Sequence, residues 1–117
     1  MSFLIRPART SDVKQIRKII DTYAAPGRML EKETVTLFES VQEFIVALDG
    51  DEVVGCAALH ILWEDLAEVR TVAVVERLHK SGIGHQLMES IVERAKSLGV
   101  ERTVSYTHLT LPTKRIV

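Results

Sequence analysis

Ala67-Glu68-Val69-Arg70-Thr71-Val72-Ala73-Val74-Val75, then Glu76 to Ser81, then Gly82-Ile83-Gly84-His85-Gln86-Leu87-Met88: this stretch passes from a strand through a short polar loop into a helix. From Gly82 to Leu98 the apolar period becomes helical, with Ile83, Leu87, Ile91, Val92 and Ala95 on one face. Gly99 is the expected stop residue. A strand end, a glycine-bearing loop and a helix N-terminus together make an anion site. N–H groups point outward there, and the helix dipole adds partial positive charge. Glycines let a phosphate approach the main chain, and Arg77, His79 and Lys80 supplement the site. The alternative is an ordinary β-α turn with a tight bend. The loop is not a Walker loop, because Gly-Lys-Ser/Thr is missing. It is also not a complete G-x-G-x-x-G fingerprint.

Upstream, Phe3-Leu4-Ile5-Arg6-Pro7 reads as a short strand that Pro7 ends or places at an edge. Thr10 and Ser11 offer N-caps for a helix whose apolar stripe is Val13, Ile16, Ile19, Ile20 and Tyr23. A second helix is expected from about Glu33 to Ser40. Phe44 to Leu48, Val53 to about Leu62 and Leu66 to Val75 are strands joined by short turns, and so antiparallel. Another strand begins at Val100. The order β-α-α-β-β-β-α-β suggests an α+β or α/β domain with a mixed sheet.

The length of 117 residues allows one domain, and 46% hydrophobic content supplies a core. The net charge of −1 argues against a dedicated nucleic-acid binder. A single cysteine, Cys56, excludes a disulfide framework and any multi-cysteine metal site. The four histidines show no metal-ligand spacing, so no metal is expected. No apolar run approaches the roughly 20 residues that span a bilayer, and the N-terminus lacks a signal-peptide layout. A cytoplasmic domain is the expectation.

The segment Ala67 to Val74, running into Ser81-Gly82-Ile83-Gly84-His85-Gln86-Leu87-Met88, resembles motif A of the GNAT acetyltransferases. Ile5-Arg6-Pro7-Ala8 is similar to that family's first strand. Three further stretches resemble the short N-acetylglutamate synthases of actinobacterial type. They are Leu30-Glu31-Lys32 with Val35-Thr36-Leu37, then Val41-Gln42-Glu43-Phe44, then Gly55 to Trp63. The likeness covers about residues 3–103. It implies the GNAT fold: a mixed, mostly antiparallel sheet flanked by helices. It implies acetyl-CoA as co-substrate and L-glutamate as acceptor, as in the first step of arginine biosynthesis. A homodimer is compatible with it. His79 departs from the pattern, standing where the family usually has Gln or Arg.

The resemblance assigns candidate roles. Val72, Ala73 and Val74 would run along the pantetheine, and His79, Lys80, Ser81, Gly82, Ile83, Gly84 and His85 would hold the pyrophosphate. Glu68 matches the strand glutamate that serves as general base in several of these enzymes; an ammonium acceptor must lose a proton before it attacks the thioester. The alternative for Glu68 is a solvent-facing residue paired with Arg70. Arg70 projects from the same strand face and suits a substrate carboxylate, as do Lys32 and Arg28; each serves equally as a surface cation. His60 reads as structural or pocket-lining, and Cys56 as a small buried hydrophobe.

The tail fits poorly. The family continues with a helix and two more strands, which are missing here. The decapeptide Val104 to Thr113 can be encoded by a transposon end used in sequencing libraries. The expectation is therefore an incomplete GNAT domain over 1–103 and a non-native tail over 104–117, against the alternative of an unusually short natural C-terminus. Other functions left open are acetylation of another small amine or a peptide N-terminus, and a non-catalytic module that binds acetyl-CoA and regulates a partner.

Overall fold

The computed structural model describes residues 3–23 and 31–105, with all side chains in those ranges except at 23, 31–34 and 105. Strands β1 (Leu4–Pro7), β2 (Phe44–Asp49), β3 (Glu52–Trp63), β4 (Leu66–Val74) and β5 (Arg102–Ser105) lie side by side in chain order. The turns at Gly50-Asp51 and Glu64-Asp65 are too short for a crossover, so the strands they join are antiparallel. Between β4 and β5 the chain passes through helix α3 (Ile83–Ser97), and that crossover makes the last pair parallel. The sheet is thus mixed and mostly antiparallel, as the sequence implied. Val104 and Ser105, the first two residues assigned to the tail, form the end of β5 opposite Glu68 and Val69.

Alternation along the strands supplies both faces. Ile45, Ala47, Val69, Val72 and Val74 face α3, which buries Ile83, Leu87, Ile91 and Ala95 against them. Each of the three large side chains contributes roughly 1.5–3 kcal/mol of burial. Phe44, Val46, Leu48, Cys56 and Ala58 face the other way. They pack on Ile16 and Ile19 of α1 (Val13–Tyr23), with Leu37 of α2 (Glu31–Glu39) at the margin. Helix α3 ends as expected at Gly99, whose φ is +88°. Gly99 N–H donates to Lys96 O at 3.0 Å and Val100 N–H to Ala95 O at 2.9 Å, which satisfies the final carbonyls.

The start of α1 differs from expectation. Thr10–Asp12 is a 3-10 turn, and the capping oxygen belongs to Asp12. Its carboxylate accepts Arg9 N–H at 2.7 Å and the Arg6 guanidinium at 2.7 and 3.1 Å. A carboxylate accepts several donors at once, whereas the hydroxyls of Thr10 and Ser11 have no charge to hold Arg6. The hydrogen-bonded guanidinium lowers the Asp12 pKa, and Asp12 in turn raises that of Arg6.

Candidate functional site

The β3–β4 ladder shifts register twice, near the hairpin between Ile61 and Trp63 and again in mid-strand. Ala58 pairs with Thr71 and Leu59 with Val69, so Arg70 is an extra residue in β4. A bulge of this kind bends the strand and re-aims its side chains. Here it switches which residues face α3, from Ala67 and Val69 before it to Val72 and Val74 after it. Sequence reading treated this strand as uniform. The signal was present in the spacing of those four apolar residues, which skips from 69 to 72.

Glu68, just before the bulge, and Arg70, the bulged residue, meet. Arg70 Nε donates to Glu68 Oε1 at 3.0 Å, with the glutamate side chain 18% exposed and the arginine half exposed. Their association matches the expected common face. It leaves Glu68 held on one oxygen by a cation.

Beyond β4 the chain closes on itself before entering α3. Val75 N–H donates to Val54 O at 2.9 Å, and a 3-10 turn follows over Glu76–Leu78. His79 N–H donates to Glu76 O, and Ser81 N–H to Leu78 O. His79 Nε2 lies 2.9 Å from Val74 O, which ties the ring to the strand end. Ser81 Oγ donates to Leu78 O at 2.6 Å and stands 3.4 Å from Ile83 N. Gly82 has φ +92°, and a Cβ there would meet no atom within 4 Å. Its backbone angle, which L side chains avoid, is therefore what requires glycine at this position. The helical ladder begins with Gln86 N–H on Gly82 O at 3.0 Å. The N–H groups of Ile83, Gly84 and His85 precede it and form the open, electropositive end of α3.

Charged side chains around the loop are dispersed. Arg77 turns to Glu52 of the β2–β3 hairpin, at 3.1 Å. His85 is exposed beside Glu89, at 3.2 Å, and Lys80 is exposed. Main-chain groups, more than cations, shape this end. Lys32 lies in α2 with its side chain outside the described set, and Arg28 lies outside the described residues. The structure therefore joins Glu68 to Arg70 and leaves both of the other substrate candidates unplaced.

Cys56 is buried in the α1 face of the core, and burial pushes its thiol up to about 12. It stays protonated and serves as a small apolar residue. Among the described residues, no group of three His, Cys, Asp or Glu could hold a metal, and no helix is long and apolar enough to cross a membrane. His60 is more connected than its sequence reading suggested. Its Nδ1 is 2.9 Å from Glu43 Oε2, and it stands directly opposite Glu68 in the ladder.

A bulged strand, a looped turn and an open helix end in this order match a known architecture. The profile of the acetyltransferase (GNAT) family fits residues 13–115. The chain belongs to the GNAT family. It is 48% identical over 107 residues to an amino-acid acetyltransferase of Mycobacterium tuberculosis, covering 89% of this chain and 61% of that one. It is 36% identical over 85 residues to an uncharacterised N-acetyltransferase of Chlorobaculum tepidum, covering 73% and 55%. A crystal structure of a Mycobacterium tuberculosis protein in complex with CoA superposes with a TM-score of 0.80 at 47% identity, over 90% of this chain and 64% of that one. The N-acetylglutamate synthase of Neisseria gonorrhoeae, complexed with coenzyme A and N-acetyl-glutamate, gives 0.81 at 25% identity, over 90% and 25%. The GNAT chain described here thus spans about 61% of its mycobacterial relative.

Proposed function

We propose that the protein transfers the acetyl group of acetyl-CoA to the α-amine of an amino acid, L-glutamate being the acceptor. The observation that carries this reading is the Glu68–Arg70 pair at the β4 bulge, one strand-length from the open end of α3. A carboxylate base and a phosphate-binding helix end on one strand-loop-helix unit are what a direct transfer needs. Naming of the relatives as amino-acid acetyltransferases, and the N-acetyl-glutamate bound in the gonococcal complex, support the acceptor class.

In the proposed mechanism the pyrophosphate lies on the N–H groups of Gly82, Ile83, Gly84 and His85, with His79, Lys80 and Ser81 around it. The main chain of Val72, Ala73 and Val74 runs along the pantetheine and polarises the thioester carbonyl by N–H donation. Glu68 takes a proton from the acceptor ammonium. The freed amine attacks the carbonyl carbon, the C–S bond breaks, and CoA leaves as thiolate to be protonated. Arg70, with Lys32 and Arg28 as further candidates, orients the acceptor's carboxylates. The proposed domain is residues 1–103, whose last strand runs on into Val104 and Ser105 of the 104–117 segment read as an addition. The test is turnover of the full-length protein with acetyl-CoA against the twenty amino acids. Acetylation of glutamate above the rest is expected; transfer only to other amines, or none, overturns the reading.

A further inference from the structure

Three carboxylate and imidazole side chains stand in a row across the strands. Glu43 precedes β2, His60 lies on β3, and Glu68 lies on β4. His60 Nδ1 is 2.9 Å from Glu43 Oε2, and His60 is the direct cross-strand partner of Glu68. Directly opposed residues of an antiparallel pair project from the same face. The imidazole therefore shares a face of the sheet with Glu68, its ladder partner, while its Nδ1 is committed to Glu43. Solvent exposure is 18% at Glu68 and higher at the other two, 32% at His60 and 31% at Glu43.

This arrangement answers a problem that the transfer mechanism creates. Each turnover leaves a proton on Glu68, whose other neighbour is the cation of Arg70. With both substrates seated, that proton needs a route to water. Imidazole exchanges protons readily near neutral pH and accepts on one nitrogen while donating on the other. On its own face of the sheet His60 has Glu43 from the turn before β2 and Glu68 and Arg70 from β4, and Arg94 comes from α3 across the sheet. Arg94 lines the same cavity of about 280 Å³ and donates to Gln42 O at 2.8 Å.

We propose that His60, the ladder partner of Glu68 with its Nδ1 on Glu43, relays to solvent the proton that Glu68 removes from the acceptor ammonium. The steps balance. The ammonium gives a proton to the Glu68 carboxylate. The resulting acid passes it to His60 Nε2, and the imidazolium releases its Nδ1 proton through Glu43 to water. Glu68 returns to its carboxylate, and His60 is left as the Nε2–H tautomer, which exchange of that proton with water and return of one to Nδ1 resets before the next turnover. His60 touches no reacting atom and acts through Glu68, as a positioning and relay residue. This inference rests on the acetyl-transfer reading.

The test is steady-state kinetics of full-length His60→Ala and Glu43→Gln. His60→Ala should lower kcat by roughly 10²-fold, within the range for lost proton-transfer help, with KM for both substrates within about a factor of two. Added imidazole should restore at least several-fold of the loss, because it can enter the space vacated by the ring. Glu43→Gln, at a part-exposed turn, should lower kcat several-fold without changing Tm, and should move the acid limb of the kcat–pH profile. In an active wild-type enzyme, unchanged kcat in Glu43→Gln overturns the relay. So does a folded His60→Ala protein that imidazole fails to rescue. Should His60→Ala not fold, Glu43→Gln decides alone. A full-length wild type that acetylates no amine removes the functional reading and the relay together.

Discussion

Gly55→Ala is the sharpest probe of how α3 is seated. Gly55 lies on β3 beneath the start of that helix. A Cβ there would stand 3.0 Å from Leu87 Cδ1, 3.1 Å from Ile83 Cγ2 and 3.3 Å from Ala73 O. Carbon pairs are most stable at about 3.5–4.0 Å, so the two side chains must give way by a few tenths of an ångström. Both are fully buried. Overpacking of this kind costs about 1–3 kcal/mol, and for a domain of this size that lowers Tm by roughly 4–12 °C. Ile83 is also the first residue of α3, flanked by Gly82 and Gly84. The displacement therefore reaches the proposed pyrophosphate site, and CoA affinity should fall about five- to tenfold, the worth of one weakened hydrogen bond. Thermal unfolding and calorimetric titration of full-length protein read both effects. Adding Leu87→Ala should make the double variant less destabilised than the two single costs together, because the new methyl fills part of the cavity. Wild-type melting and CoA affinity in Gly55→Ala would refute this account of the helix–sheet contact.

Three further outcomes are expected. Gly82→Ala should cost about 1–2 kcal/mol through its positive φ alone, seen as a lowered denaturation midpoint, since no neighbour lies within 4 Å of a Cβ there. Arg6→Ala should cost about 1.5–3 kcal/mol by removing a charged hydrogen-bond partner from buried Asp12. The pair's stabilisation is complete above the ordinary carboxylate range and is lost as pH falls through the lowered folded-state value of Asp12, so wild type and Arg6→Ala should converge in urea melts at acid pH. Deleting residues 106–117 should leave the melting curve unchanged if the tail is an addition to the domain. Deleting from Arg102 should destabilise the chain by stripping β5 from β4.

Much of the fold was legible because the apolar periods are clean. The strand-to-helix change at Gly82 and the helix stop at Gly99 follow from local chemistry, and the short hairpins dictate antiparallel pairing. The bulge at Arg70 escaped a reading that assumed strict alternation, although the step from Val69 to Val72 carried it. Thr10 and Ser11 were expected to cap α1, but Asp12 does so, since its tie to Arg6 is a tertiary contact that helix-start rules do not contain. At the site, the Glu68–Arg70 pair was readable from two-residue spacing. The Glu43–His60 contact spans 17 positions, and no local pattern announces it. Arg77 was expected near the loop, but its nearest acid lies on the β2–β3 hairpin, and charge draws it there.

The dependence of kcat on Glu68 tests the central claim most directly. Full-length Glu68→Gln keeps the side-chain shape while removing the proton acceptor. Measured against wild type between about pH 6 and 9, its kcat should be roughly 10²–10⁴-fold lower near neutrality. The deficit should shrink as rising pH supplies free amine. CoA affinity should be unchanged, because Glu68 lies before the bulge and away from the open end of α3. Wild-type kcat in Glu68→Gln near neutral pH would contradict the account and leave Glu68 as the surface partner of Arg70.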